Sequence, residues 1–444
     1  GAFCDALAIE QAKRCMNCGT PFCHAGVVWQ GVKSGCPLYN LIPEWNDLVC
    51  GEHFMEAWER LKATSPFPEF TSRVCPALCE GACTLGLHDE PASIRELERF
   101  ISDKGFEMGW EKPVPPEKRT NRRVAVVGSG PAGLAVAWAL NRAGVNVDVY
   151  EKADRAGGLL MYGIPPMKLP KPVVERRVKM LEEEGVNFHL NSDITADNLS
   201  ESILKTHDAV VLCCGAGVAR NLTVPGRELD GIEYAVPFLT VCVKNVLNGK
   251  TDQSLKGKHV VIIGGGDTGN DCVAASIRLG AASVTQLEIM PELPAKRDED
   301  NPWPRWPFIL KTDYGQKEAI SIFGSDPREY CVSTISFDGE GKVVSLTAVK
   351  VEWVADGARR KPVPIEGTEK VIPADLVLIA MGFIGANKEI FTKFNIEQTS
   401  LRNPKEEVFI AGDMRTGQSL VVKAIADGLQ TAREVLKYLN AKEG

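Results

Sequence analysis

Apolar residues follow two rhythms along this chain, and the rhythm changes near residue 115. Before that point they recur at helical spacing over short stretches. Phe54, Ala57, Trp58 and Leu61 fall at i, i+3, i+4 and i+7. Ser93, with Glu96 three residues on, predicts a capping-box start for a helix whose apolar stripe is Ile94, Leu97 and Ile101. The charged, proline-rich run over 111–121 favours neither helix nor sheet and marks a domain boundary. Beyond it, short apolar runs alternate with helical patterns: 123–127 and 145–150 predict strands on either side of a helix over 131–143. The same design begins again with a strand at 259–263 and a second strand over 283–287. Two late apolar runs, 376–380 and 408–411, are expected to return as strands to the first unit.

A chain of 444 residues and 48.3 kDa has room for two to four domains, each with its own core. Hydrophobic residues at 44%, charged residues at 25% and a net charge of −7 are the composition of a soluble globular protein. They exclude a global nucleic-acid footprint. There is no run of 18 apolar residues, and the opening stretch holds Asp5 and Glu10 with no signal-peptide core. The expectation is a soluble, cytoplasmic protein with no membrane partner.

That compartment decides how the 14 cysteines are read. Nine of them, Cys4, Cys15, Cys18, Cys23, Cys36, Cys50, Cys75, Cys79 and Cys83, crowd the front segment, and clustered thiols in a reducing space favour metal ligation over disulfides. Cys15-x2-Cys18-x4-Cys23 precedes Cys36-Pro37, and Cys75-Pro-x2-Cys79-x3-Cys83 follows. Three or four thiolates on a tight loop, with proline after a ligand, is an arrangement iron–sulfur clusters use. Zinc competes, but a zinc ribbon repeats C-x2-C and only one such pair occurs. Seven cysteines are one short of two full sets. Glu98, four residues after Ile94, lies on the apolar stripe, where a carboxylate must be neutralised, ion-paired with an arginine such as Arg95 or Arg73, or ligating. Cys4, Cys50, Cys213, Cys214, Cys242, Cys272 and Cys331 read as ordinary buried thiols, and His24 as an exposed loop residue.

Two glycine loops carry the remaining chemistry. Gly128-Ser-Gly-Pro-Ala-Gly133 lies between a strand and a helix, and Glu151 ends the next strand. Such glycines allow a tight turn and close approach of backbone N–H groups to a pyrophosphate, while the acid accepts from ribose hydroxyls. Gly264-Gly-Gly-Asp-Thr-Gly269 repeats the design, with Glu288 as its acid. Two such sites in one chain indicate a flavin plus a nicotinamide. The fold class is therefore multi-domain: an amino-terminal α-helical iron–sulfur domain over 1–115, followed by two Rossmann-like α/β dinucleotide-binding domains, the second inserted in the first. The expected ranges are 121–225 with 370–444 for FAD and 226–369 for NAD(P)H. Val408-Phe-Ile-Ala-Gly-Asp413, followed by Gly417-Gln-Ser-Leu-Val-Val422, resembles the two-dinucleotide-domain flavoproteins, whose late Gly-Asp holds the flavin's hydroxyls. Candidate flavin contacts are Gly128, Gly130, Pro131, Ala132, Gly133, Glu151, Lys152, Gly158, Leu159, Gly412, Asp413, Gln418, Ser419 and Leu420. Those for the nicotinamide nucleotide are Gly264, Gly266, Asp267, Thr268, Gly269 and Glu288. Glu288 favours NADH, since it would repel a 2′-phosphate, although Lys296 and Arg297 lie nearby.

The order of these motifs, with Asn40-Leu-Ile-Pro-Glu-Trp-Asn-Asp47, Phe67-Pro-Glu-Phe-Thr71, Arg73-Val-Cys-Pro76, Glu288-Ile-Met-Pro291, Asn301-Pro-Trp-Pro-Arg-Trp-Pro307 and Lys311-Thr-Asp-Tyr-Gly315, resembles the small (beta) subunits of glutamate synthases over nearly the whole chain. The cysteine segment is also similar to the amino-terminal half of dihydropyrimidine dehydrogenase and to bifurcating ferredoxin:NADP oxidoreductases. The resemblance implies two [4Fe-4S] clusters with crossed ligation: Cys15, Cys18 and Cys23 with Cys83, and Cys36, Cys75 and Cys79 with Glu98. It implies electron flow from NADH or NADPH through FAD and the clusters to a large (alpha) subunit, which makes glutamate from glutamine and 2-oxoglutarate. That partner would form a hetero-oligomer docked around residues 15–45. Two stretches depart from the family: 27–35 is longer and 397–407 shorter. A subunit of an NAD(P)H:ferredoxin oxidoreductase, a reductase serving a soluble carrier and a non-enzymatic iron–sulfur scaffold are the alternatives. No catalytic residue is assigned. The run with Trp303 and Trp306 reads as core packing, a partner surface or a substrate-side loop.

Overall fold

The computed structural model describes residues 4–29, 32–196, 198–250, 252–357 and 359–442. The ends of the expected domain ranges (1–3 and 443–444), and residues 30 and 31 of the longer stretch, lie outside the described residues. The front segment is helical as expected, with Ile42–Cys50, Phe54–Lys62, Pro68–Val74 and Ile94–Glu107 as its principal helices. Ser93 does stand at the N-cap of the last, yet its hydroxyl donates to Gln11 at 3.0 Å and the capping box does not form. A hairpin of Val27–Trp29 with Val32–Ser34 takes up the longer stretch before Cys36.

The β-branched run Arg123–Val127 is buried after its first residue, which suits the centre of a sheet covered on both faces. The sheet is all parallel, in the order Val408–Ile410, Ala209–Leu212, Arg123–Val127, Asn146–Tyr150, Asn187–His189. Helices Pro131–Arg142 and Val421–Ala441 cover one face. A second parallel sheet follows the order Arg328–Tyr330, Ser283–Glu288, His259–Ile263, Leu376–Ile379, Ile232–Tyr234. Of the two late runs, Val408–Ile410 returns to the first sheet, whereas Leu376–Ile379 pairs with His259–Ile263 and completes the second. The boundary expected at 370 therefore falls on the wrong side of this strand. An antiparallel layer, Val332–Glu340 with Lys342–Asp356 and its neighbours Arg359–Pro364 and Lys370–Pro373, packs on that second sheet through Phe337, Leu346 and Ile372. The crossings between the two sheets, Val218–Ala219 and Phe383–Gly385, pair with each other.

The helical segment shares one hydrophobic core with the first sheet. A buried ion network also joins them: Arg177 donates to Glu69 at 2.5 Å and to Glu111 at 2.8 Å, and Lys62 donates to Glu111 at 3.0 Å. Glu111 opens the linker, so the boundary is anchored at its start. Removing one partner from such a buried network costs about 3–5 kcal/mol.

Candidate functional site

The first glycine loop is held by contacts that leave no room for side chains. Gly128 has φ +98°, and a Cβ there would lie 2.5 Å from the Cys213 carbonyl oxygen; at Gly133 it would lie 1.9 Å from that of Gly128. Gly130 is the N-cap of helix Pro131–Arg142, with Pro131 and Ala132 in a first turn whose N–H groups have no intrahelical acceptor. Glu151 is buried at the strand end and ties the loop together. Its Oε2 accepts from the Ser129 N–H at 3.1 Å and hydroxyl at 2.5 Å, and its Oε1 from the Ala153 N–H at 2.8 Å. Ser129 Oγ in turn accepts from the Gly157 N–H at 2.9 Å, and Gly158 packs against Gly130. Lys152 and Leu159 are exposed at this rim.

Opposite the loop, the Gly412 N–H donates to Asp427 at 2.7 Å. Asp413 is half-buried and accepts from the Ser419 hydroxyl at 2.6 Å, and burial raises its pKa. Gln418 accepts from the Phe383 N–H at 2.9 Å, on the crossing between the sheets, and Leu420 is the N-cap of helix Val421–Ala441. Loop, acid and Gly412–Leu420 lie at the carboxyl ends of the first sheet's strands, where open α/β sheets bind ligands.

The second loop repeats the geometry in a more open form. A Cβ at Gly264 would lie 2.3 Å from the Ala380 carbonyl oxygen, and one at Gly269 2.2 Å from that of Gly264. Gly266 is the N-cap of helix Asp267–Arg278, with Thr268 in its first turn. Glu288 accepts from the Gly265 N–H at 3.0 Å and the Met290 N–H at 2.8 Å, and it is half-buried. Lys296 is exposed. Arg297 is engaged elsewhere: its Nη2 donates to the Gly81 carbonyl at 2.9 Å, in the cysteine segment.

The cysteines ring two cavities. One is lined by Cys15, Cys18, Cys23 and Cys83, the other by Cys36, Cys75, Cys79 and Glu98. Ile42 and Ile94 line both and stand between them. Val422, the second residue of the helix that Leu420 caps, lines the second. Ala77, between Cys75 and Cys79, holds φ +65°, a conformation costing an L-residue roughly 1–2 kcal/mol, which turns the loop around its cavity. Burial pushes Cys23 and Cys36 up to about 12 and Cys75 up to about 11, with neighbouring thiols or Glu98 adding to it. Burial likewise raises Cys79 and pushes Glu98 up to about 8. Crowded, desolvated acids of this kind ionise only against a cation, so the donor set fits an iron–sulfur cluster at each cavity. Among the described residues no three His, Cys, Asp or Glu side chains converge on a single point as a mononuclear zinc site requires.

Glu98 is 7% exposed and accepts from the Thr71 hydroxyl at 2.5 Å. The ion-pair partners considered for it are engaged otherwise, Arg73 with Asp103 and Arg95 with Glu96. Cys4 is exposed rather than buried, because it precedes the first turn of helix Asp5–Lys13; Cys213 and Cys272 are buried, and Cys50, Cys214, Cys242 and Cys331 partly so. His24 is half-buried in the short helix Phe22–Ala25. The tryptophan–proline run packs on the cysteine segment: Trp303 donates to the Cys83 carbonyl at 3.3 Å and meets Phe22 edge-on at 4.7 Å, while Trp306 and Pro307 cover Gly81. Sequence reasoning missed Ser129, Asp427, Thr71 and Val422, none of which has a signal of its own outside the fold.

Residues 2–110 match the family described as dihydropyrimidine dehydrogenase domain II, 4Fe-4S cluster, and residues 122–302 match that of pyridine nucleotide-disulphide oxidoreductases. The likeness of fold extends to Mycobacterium tuberculosis FprA in complex with NADPH, at a TM-score of 0.57 and 21% identity over 73% of this chain and 86% of that one. The class is thus a pyridine-nucleotide flavoprotein oxidoreductase carrying an iron–sulfur domain. More narrowly, the chain belongs to the glutamate synthase small-chain family: it is 48% identical to the glutamate synthase [NADPH] small chain of Bacillus subtilis, over 98% of this chain and 92% of that one. It is also 45% identical to the glutamate synthase [NADH] of Schizosaccharomyces pombe, of which it spans 21%.

Proposed function

We propose that the chain is the electron-input subunit of a cytoplasmic glutamate synthase, delivering electrons from NAD(P)H to a large subunit that makes glutamate from glutamine and 2-oxoglutarate. When bound, FAD accepts a hydride and gives up electrons one at a time, and iron–sulfur clusters carry them onward. The chain's own residues bind and position. The first-turn N–H groups after Gly130 and Gly266 cradle the two pyrophosphates, and Glu151 and Asp413 accept from flavin hydroxyls. Glu288 accepts from the ribose of the nicotinamide nucleotide. Cys15, Cys18, Cys23 and Cys83 hold one cluster, and Cys36, Cys75, Cys79 and Glu98 the other. Ile42 and Ile94 keep water from between them. This reading takes the cluster domain as 1–115, the flavin domain as 121–225 and 381–444, and the nicotinamide domain as 226–380.

The observation that carries the reading is the stacking of the two cavities. One is backed by Val422 on the flavin side, and the other opens toward exposed Met16, where a partner receives electrons. The test is reconstitution. The isolated chain should oxidise NAD(P)H with artificial dyes yet form no glutamate from glutamine and 2-oxoglutarate, and added large subunit should restore synthesis. Glutamate made by this chain alone, or efficient turnover only with ferredoxin, would identify a different acceptor.

A further inference from the structure

Helix Ile42–Cys50 lies between the two cavities, and two adjacent residues on it carry buried polar groups with no partner. Trp45 is 0% exposed and Asn46 1%. The indole N–H of Trp45 and both ends of the Asn46 amide have no hydrogen-bond partner among the described residues. Leaving a buried polar group unsatisfied costs about 1–3 kcal/mol, so the indole N–H and the amide N–H each call for an acceptor and the amide oxygen for a donor. Successive helical residues point about 100° apart. Accordingly Trp45 lines the cavity of Cys36, Cys75, Cys79 and Glu98, whereas Asn46 lines that of Cys15, Cys18, Cys23 and Cys83. An indole nitrogen can only donate, and an amide nitrogen only donates. The four-cysteine cavity is walled by apolar groups and thiols with Thr84 beside them, and the Glu98-side one by apolar groups, thiols and Glu98 with Asn40, Thr71 and Arg95. None of these accepts from either N–H, so the acceptor that fits is a sulfur of whatever occupies the cavity.

We infer that Trp45 and Asn46 are positioning residues of the two clusters, each donating an N–H···S hydrogen bond to a different one and thereby setting the step in potential between them. The inference rests on the cluster reading above. Reduction adds negative charge to a cluster already surrounded by thiolates, and an N–H aimed at its sulfur stabilises that added charge. Each donor therefore raises the potential of its own cluster and leaves the other alone.

The test is a redox titration of the whole chain, followed by EPR, for wild type, Trp45→Phe and Asn46→Leu. At a fixed poise Trp45→Phe should lower the reduced fraction of the Glu98-side cluster about tenfold, equivalent to about 59 mV for one electron. The four-cysteine cluster should stay unchanged, and Asn46→Leu should do the reverse. Asn46→Asp, which replaces the donor by an acceptor of the same shape, should shift the four-cysteine cluster further down than Asn46→Leu. Where a variant loses iron, pulsed EPR of reduced protein with labelled indole nitrogen and Trp303→Phe, which removes the indole nitrogen beside Cys83, reads the Trp45 contact as a nitrogen coupling to the Glu98-side cluster. Unmoved potentials in variants with full iron, or an absent nitrogen coupling, would overturn the inference while leaving the cluster assignment intact. Wild-type protein without iron and sulfide would instead overturn that assignment.

Discussion

The two cavities of the front domain hold four candidate ligands each, yet they differ in depth and in what backs them. At the outer one Cys23 is buried, Cys15, Cys18 and Cys83 are half-buried, and Met16, in the same loop, is 54% exposed. At the inner one Cys36 and Cys75 are buried and Cys79 half-buried, buried Glu98 stands where the outer cavity has a fourth thiol, and Val422 closes the wall. In the proposed electron path, depth orders the pair: the inner site would receive electrons from the flavin and the outer would release them at the surface. A similar contrast separates the two nucleotide loops. Glu151 is buried and locked by the Ser129 hydroxyl, whereas Glu288 is half-buried and accepts from the backbone N–H groups of Gly265 and Met290. The first geometry suits a resident cofactor and the second one that exchanges.

Removing the carboxylate strikes this ordering hardest. Glu98→Ala should cost the protein up to half its iron and stop transfer from flavin to the outer cluster, while Glu98→Cys should retain both. Metal analysis with EPR decides it, and full iron with an unchanged spectrum in Glu98→Ala would remove Glu98 from the ligand set. A smaller effect sharpens the outer half of the comparison. Trp303 covers the Cys83 loop through a hydrogen bond and an aromatic contact, together worth on the order of 1–2 kcal/mol. Trp303→Ala should therefore speed loss of the outer cluster's absorbance in air by about tenfold, with the inner cluster's EPR signal unaltered. Smallest is the nucleotide preference. Glu288 should favour NADH over NADPH by about fivefold in kcat/KM, the scale of one partly screened charge repulsion. Arg297, engaged with Gly81, does not reverse it. A clear NADPH preference in steady-state reduction would show a phosphate site that Glu288 does not control.

Much of this was legible in the sequence wherever local chemistry decides the outcome. The glycine loops and the strands at 123–127 and 259–263 appear where spacing put them, because a buried β-branched run followed by Gly-x-Gly has few other uses. Long-range choices were not legible. Four residues, Leu376–Ile379, fit any parallel sheet, and only the chain's path between the two units assigns them to the second. The Ser93 hydroxyl had a nearer acceptor in Gln11, more than eighty positions away in sequence. Arg297 lies near Glu288 in sequence, but its engagement with Gly81 is a tertiary fact that spacing does not show. The grouping of Cys83 with the first three cysteines came from the family resemblance, and the fold brings the same four residues to one cavity by packing Leu78–Gly81 against helix Phe22–Ala25.

The most direct test of the electron path is an anaerobic titration of the isolated chain with NADH, followed together by absorbance and EPR. The account predicts bleaching of the flavin accompanied by the appearance of an iron–sulfur signal, in protein that contains iron and sulfide sufficient for two clusters. Flavin that bleaches with no cluster signal, or protein that carries stoichiometric zinc in place of iron and sulfide, would contradict it.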